Sequence, residues 1–187
     1  LDGKHRVTCV DKSNVLRGCV FFRNIYNEVA KSYNGIERDY AYVDAVTQWM
    51  IRRPEFYDVI VTTNMFGDII TDLASVLQGG MGMAPAGNIG DQHAMFEPIH
   101  GSAPRIAGQK VANPIAAILS AKMMLEWIAK THGDEAPKRA ADKIEKAVER
   151  VLMEGKVRTY DLGGESSTTE VGDAIADAVR KMTESDS

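Results

Sequence analysis

With 187 residues, 44% of them hydrophobic and 26% charged, the chain has the composition of an ordinary globular protein and is long enough for one sizeable core or two small ones. Its formal net charge of -4 argues against a nucleic-acid or anionic-membrane partner, since both reward a basic surface, and favours small molecules as partners. Cys9 and Cys19 are too few and too irregularly placed for a disulfide framework or a zinc site, and no apolar run has spanning length, so a reducing cytoplasm is the expected setting.

The opening LDGKHRV has no signal-peptide pattern and runs, without an initiating Met, straight into a β-branched segment, which reads as a fragment entered in mid-domain. Residues 7–10 (VTCV) and 58–63 (DVIVTT) are short apolar runs suited to buried strands, whereas IERDYAYV alternates and predicts a half-exposed one. Between them, residues 19–33 place Phe21, Ile25 and Val29 on one helical stripe, and a helix over 43–53 stops before Pro54. Residues 78–91 (QGGMGMAPAGNIGD) carry five glycines and a proline, which marks either a domain boundary or an active-site loop. Asn113 followed by Pro114 predicts an N-cap and first helical position for a helix ending near Gly133. Ile144, Val148, Val151 and Leu152 recur at helical spacing within residues 138–153. Ser167 with Glu170 forms a capping box before a last amphipathic helix bearing Val171, Ile175, Val179 and Met182, and the tail TESDS is expected to fray. Alternating strands and helices make an α/β fold with at least partly parallel pairing, and no internal repeat is present.

The stretch NMFGDIITD places Asp68 and Asp72 four residues apart on a helix. At about 100° per residue, Ile69, Ile70, Leu73, Ala74, Val76 and Leu77 fill one arc, while Asp68, Thr71, Asp72, Ser75 and Gln78 fill the other. Periodicity alone therefore reads the two acids as a solvated face. Like charges at that spacing repel unless a cation lies between them, however, and carboxylates suit Mg2+ or Mn2+. Lys12, following a strand in VDKSNV, is either a surface charge or, partly desolvated beside a metal, a group able to move protons. HGSAP, residues 100–104, is either a plain turn or a source of backbone N–H groups for a phosphate, and His100 alone reads as structural. The glycines of GGMGMAPAG lack the third glycine and the later acidic residue of a Rossmann fingerprint, which excludes that reading.

Taken together, VDKSNVL, YVDA, NMFGDIITDLASVLQGGMGMAPAGNIG, FEPIHGSAPRIAGQKVANPIAAILSAKMML and TYDLGG resemble the β-decarboxylating dehydrogenases of 2-hydroxy acids, the family of 3-isopropylmalate, isocitrate, homoisocitrate and tartrate dehydrogenases. The resemblance extends over nearly the whole chain but over only the later part of a family member. It implies an isocitrate/isopropylmalate dehydrogenase-like two-domain α/β fold, of which only the C-terminal part is present. Residues 1–78 then belong to the central dimer-forming catalytic domain and residues 79–187 to the domain completing the nucleotide pocket. Sheets left incomplete in this way would expose strand edges, so the segment is not expected to be active alone.

By the same resemblance Lys12 is the catalytic lysine acting at the substrate hydroxyl, and Asp44, Asp68 and Asp72 bind Mg2+ or Mn2+. Lys12 and Asp44 come from the neighbouring subunit, which implies a homodimer or higher assembly with a shared active site. Asn14 resembles the residue that contacts the nicotinamide side of NAD or NADP. Glu97, His100, Gly101, Ser102, Ala103, Ile106 and Asn113 resemble the adenosine end of the family's pocket. Arg105 stands where NAD users of the family generally have an aspartate; a guanidinium there can bind a 2′-phosphate bidentately, and Tyr160 also resembles NADP-using relatives. Both residues lean toward NADP, against the alternative that Arg105 points to solvent and cofactor choice is loose. The implied reaction is metal-dependent oxidative decarboxylation of a malate-type 2-hydroxy acid, with 3-isopropylmalate favoured over isocitrate and homoisocitrate. A non-catalytic nucleotide-binding or regulatory subunit of the same fold and an unrelated metal-binding or structural module are the competing readings; the first predicts degraded ligand positions, and none is found.

Overall fold

The computed structural model describes residues 3–185. The chain divides into two compact units, residues 1–77 and residues 78–187.

The first unit is built on three parallel strands in the order β2-β1-β3: β1 (Arg6–Asp11), β2 (Glu37–Tyr42) and β3 (Val59–Thr62). In the register, Asp11 faces Tyr42 and Val10 faces Thr62, so the carboxyl ends of all three strands lie at one edge of the sheet. The central strand is the most enclosed; Thr8, Cys9, Val10 and Asp11 have no exposed surface. Helices α1 (Arg17–Ala30), α2 (Val43–Arg52) and α3 (Asn64–Ser75) follow the strands in turn, and Val10, Val46 and Ile70 pack as a small core with Ile60, Met50 and Tyr57 around them. As expected from the steric restriction ahead of Pro54, α2 ends at Arg52.

The buried faces of α1 and α3 differ from those their periodicity predicts. The α1 stripe of Phe21, Ile25 and Val29 is solvent-facing, with Phe21 68% exposed, and the side turned to the sheet instead carries Cys19, Arg23 and Tyr26. Polar groups hold that side: Tyr26 Oη donates to the Val7 carbonyl at 2.7 Å. On α3 and in the 3-10 turn that follows it at residues 76–78, Ile69, Val76 and Leu77 are exposed although they fall in the apolar arc, while Ser75, placed on the polar arc, is buried with its hydroxyl donating to the Asp72 carbonyl at 2.7 Å. That local hydrogen bond removes the cost of burying the hydroxyl.

The second unit opens with a feature the composition conceals. Residues 85–89, inside the glycine-rich stretch, form β4 (Pro85–Ile89), which pairs antiparallel with β5 (Ala94–Pro98); this part of the sheet structure is a hairpin, not a parallel crossover. Three long helices follow, α4 (Ile115–His132), α5 (Glu135–Glu154) and α6 (Thr168–Ser185). Their core joins Ile115, Ala147, Val148, Val151, Val171 and Ile175, and Trp127 of α4 meets Phe96 of β5 with ring centroids 6.5 Å apart.

Local signals set the helix ends. The first helical residue of α4 is Ile115, one later than Pro114, and Asn113 Oδ1 accepts the Ile115 N–H at 3.0 Å. Gly133 closes α4 in the left-handed conformation at φ 65°, which costs glycine nothing sterically. α5 starts at Glu135, three residues before the segment expected from residue 138, and Asp134 caps it by accepting the Ala136 N–H at 2.8 Å. The capping box is formed: Ser167 N–H donates to Glu170 Oε2 at 2.7 Å, and Glu170 N–H returns to Ser167 Oγ at 3.2 Å. In the tail expected to fray, α6 continues through Ser185, and Asp186 and Ser187 lie outside the described residues. No described helix is long and apolar enough to cross a membrane.

Candidate active site and nucleotide cleft

In the first unit the chemistry-bearing residues follow the carboxyl ends of the parallel strands. Lys12 comes directly after β1, Asp44 sits in the first turn of α2 just after β2, and α3, which starts two residues after β3, carries Asp68 and Asp72. In open parallel sheets, ligands bind outside this end, because the crossover loops gather there.

Lys12 Nζ lies 2.5 Å from Asp44 Oδ1, with the lysine side chain partly covered and the aspartate exposed. The hydrogen bond from Lys12, and the N-terminal position on α2, hold the Asp44 carboxyl below the usual carboxylate range. Asp68 and Asp72 are exposed, and Asn64 Nδ2 donates to Asp68 Oδ1 at 3.3 Å. Among the described residues, no three acidic, histidine or cysteine side chains of this one chain converge on a point. Lys12 and Asp44 are thus brought together, whereas Asp68 and Asp72 form a separate pair one helical turn apart. Two exposed carboxylates offer hard oxygen donors of the kind Mg2+ and Mn2+ take, with room for waters or for a further ligand from another chain. Asn14 is exposed in the turn between β1 and α1.

Sequence reading passed over the buried groups beneath Lys12. Asp11 has no exposed surface and receives Arg23 through two bonds, Nε to Oδ2 at 2.7 Å and an Nη to Oδ1 at 2.8 Å, together with the Ser13 N–H at 2.8 Å. Burial works to raise the Asp11 carboxyl, but the Arg23 and Ser13 bonds outweigh it and leave it below its ordinary range. Burial, followed by the Asp11 charge, pushes the neighbouring Cys9 thiol up to about 11, so this cysteine stays protonated and unreactive. The signal available beforehand was the aspartate adjoining Lys12 together with an arginine twelve residues later.

The second unit holds an open cleft of about 830 Å³, within the size range of ligand sites. His100, Gly101, Ser102 and Ala103 line it on one side, with Ala103 held at φ 44°. Ile106, Asn113 and Tyr160 line it as well. Glu97, exposed on β5, and Arg105, exposed in the same loop, are not part of the lining. His100 Nδ1 lies 3.0 Å from the Gly101 carbonyl oxygen.

Asn113 has a structural task beyond the expected one. Its amide nitrogen donates to Asp161 Oδ2 at 3.0 Å and to Met83 Sδ at 3.5 Å, while its oxygen caps α4. Gly82 permits this junction, because a Cβ there would lie 2.8 Å from Asp161 Oδ2 and 2.9 Å from Asn113 Cβ. Thr168 ties the far wall by donating its backbone N–H to the Lys110 carbonyl at 2.8 Å. Lys110 and Asp161, both in the lining, were not singled out from sequence; a lysine in the glycine-flanked loop before Asn113 was the clue for the first.

Comparison with known proteins places this arrangement. The sequence model described as isocitrate/isopropylmalate dehydrogenase matches residues 1–175. A 3-isopropylmalate/3-methylmalate dehydrogenase of Methanocaldococcus jannaschii is 46% identical over 177 residues, covering 94% of this chain and 51% of that protein. The homoisocitrate dehydrogenase of the same organism is 48% identical over 181 residues, covering 96% and 50%. The crystal structure of isocitrate dehydrogenase from Methylococcus capsulatus superposes with a TM-score of 0.85 at 43% identity, covering 94% of this chain and 50% of that one. The chain spans about half the length of the curated relatives it matches. Motifs, parallel sheet and overall similarity agree: this chain belongs to the isocitrate/isopropylmalate dehydrogenase family.

Proposed function

We propose that this chain supplies catalytic and nucleotide-binding parts of a metal-dependent, NADP-linked β-decarboxylating dehydrogenase acting on 3-isopropylmalate, in an assembly of at least two copies. The observation that carries the reading is the gathering of Lys12, Asp44 and the Asp68-bearing helix at the carboxyl edge of one parallel sheet.

Asp68 and Asp72 of one subunit, with Asp44 of its neighbour, would hold the divalent cation. When bound, that cation supplies Lewis acidity toward the substrate's 2-hydroxyl and adjacent carboxylate. The nicotinamide supplies a hydride acceptor. Lys12 Nζ, as the neutral amine, takes the proton from the 2-hydroxyl and becomes the ammonium, and the contact with Asp44 holds Nζ in place. Asn14 orients the nicotinamide. In the second unit the loop from His100 to Ile106 and the faces of Asn113 and Tyr160 bind the adenosine. Arg105 and Lys110 are the cations of that loop for phosphate, and a guanidinium where a carboxylate would repel favours the 2′-phosphate of NADP. Exposed apolar side chains on α2 and α3, among them Trp49, Met65 and Ile69, support pairing of two copies through this unit. Residues 1–77 are then the central dimer-forming domain and residues 78–187 the nucleotide domain.

The test uses the intact protein with Mn2+ and each of 3-isopropylmalate, isocitrate and homoisocitrate, against NADP and NAD. The highest kcat/KM is expected for 3-isopropylmalate with NADP. Asp72→Asn is expected to weaken Mn2+ binding by more than about tenfold, the loss that an outer-shell change alone produces. An unchanged Mn2+ affinity in that variant rejects the reading; fastest turnover of homoisocitrate, the substrate named for one relative, rejects only the substrate.

A further inference from the structure

Lys12 is fixed by more than its partner Asp44. The Asp11 carboxylate on one side of it captures the Ser13 N–H on the other, at 2.8 Å, and the Lys12 carbonyl accepts from Val15 N–H at 3.0 Å and Leu16 N–H at 2.9 Å. The peptide units flanking Lys12 are therefore bonded in both directions, and the anchor of the arrangement is Arg23, whose fork closes on both Asp11 oxygens. The same guanidinium lies 5.5 Å from the Tyr42 ring centroid and 5.2 Å from that of Tyr40. Lys12 Nζ lies 5.7 Å from the Tyr42 ring and 2.5 Å from Asp44, two residues beyond Tyr42. Two cations thus share one aromatic ring; Arg23 is paired with a buried carboxylate, and Lys12 with the exposed carboxylate of Asp44 at the sheet edge.

We propose that Asp11, Arg23 and Tyr42 form a positioning network whose task is to set where the Lys12 ammonium sits. The inference rests on the assignment of Lys12 made above and deepens it, since none of the three touches substrate. Stability alone does not call for such a group. A buried ion pair is often replaced by packed apolar residues at no loss, while a planar fork bonded to both oxygens fixes direction as an apolar contact does not.

The test measures kcat and KM of the intact protein with 3-isopropylmalate, Mn2+ and NADP, or with whichever of the three acids it turns over fastest. Arg23→Lys keeps the charge and loses the fork, and Tyr42→Leu, at a partly exposed position, removes the shared ring with little risk to folding. Thr8→Val is the control: Thr8 is buried on the same strand and donates to Asp39 Oδ2 at 3.0 Å, so its loss weakens β1 without touching the network. Arg23→Lys and Tyr42→Leu are expected to lower kcat by roughly 10- to 100-fold, the cost of misplacing a reacting group by about 1 Å, with the substrate KM little changed. Thr8→Val is expected to lower Tm and leave kcat as it was. Should Arg23→Lys not fold, Tyr42→Leu decides. An unchanged kcat in the deciding variant, a loss confined to KM, or an equal kcat loss in Thr8→Val overturns the proposal. A Lys12→Ala variant with wild-type kcat would instead overturn the underlying assignment of Lys12, so the two failures are told apart.

Discussion

Lys12 and Asp44, 32 residues apart in sequence, meet at 2.5 Å within a single chain, whereas Asp68 and Asp72 of that chain stand apart from them as a second pair. In the proposed assembly one subunit donates the first pair to a site where the other subunit donates the second.

Subunit complementation follows from that arrangement. Lys12→Ala and Asp72→Asn homodimers each lack an essential group in both sites. In a heterodimer of the two, one site carries both lesions and the other carries none. After co-refolding of equal amounts, half the molecules are heterodimers with one good site of two, so about a quarter of wild-type activity should return. Mixtures no more active than the separate variants would show that the four residues do not divide between subunits in this way.

Asp11 predicts an acid-side loss of stability. Its folded-state carboxyl lies below the ordinary value, so protonation favours the unfolded chain. The stabilisation is fully present above about pH 4, the unfolded value, and is lost as pH falls through the lower folded value. Asp11→Asn leaves the Arg23 guanidinium without its counter-charge in a mostly covered position and should cost about 3 kcal/mol at neutral pH. Thermal unfolding between pH 7 and pH 3 should show the gap between wild type and variant narrowing on the acid side; a constant gap contradicts the linkage.

Asn113→Asp reverses the pH sense. The new carboxylate keeps the cap of α4 but faces Asp161, to which the amide now donates at 3.0 Å. Like charges at that distance raise the folded-state pKa of the pair, so the penalty is absent at low pH and grows as pH climbs above about 4, reaching about 1 to 2 kcal/mol near neutrality. Tm of wild type and variant should agree best in acid and diverge toward pH 7, and NADP affinity should fall with it.

In the TYDLGG turn, Gly164 is required for space. A Cβ would sit 2.2 Å from the Arg158 carbonyl oxygen, inside a turn closed by Gly164 N–H to Thr159 at 3.0 Å and by Ser166 N–H to Arg158 at 2.8 Å. Backbone must shift, so Gly164→Ala should destabilise the second unit by about 2 to 3 kcal/mol and weaken NADP binding through displacement of Tyr160. A wild-type Tm in this variant would mean the turn opens freely and Tyr160 owes nothing to it.

The sequence by itself determined where the helices and the three strands of the first unit lie and how several of them end. The cap at Asn113, the left-handed stop at Gly133 and the Ser167–Glu170 box are satisfied within a few residues, by hydrogen bonds and steric limits that no distant segment alters. Family membership was legible for a related reason, because its motifs sit at the strand and helix ends where chemistry is presented. Only the tertiary structure decided which faces are buried. Phe21 and Val29 lie on the apolar stripe of α1 yet face outward, and Arg23 faces in because Asp11, on a strand with no exposed side, needs its charge. The hairpin of β4 and β5 hid in a glycine-rich stretch, since strand pairing depends on the partner at residues 94–98 and not on local propensity. The Asn113–Asp161 bond spans 48 residues. Periodicity reports what a residue prefers, whereas burial is settled by whatever the rest of the chain places against it.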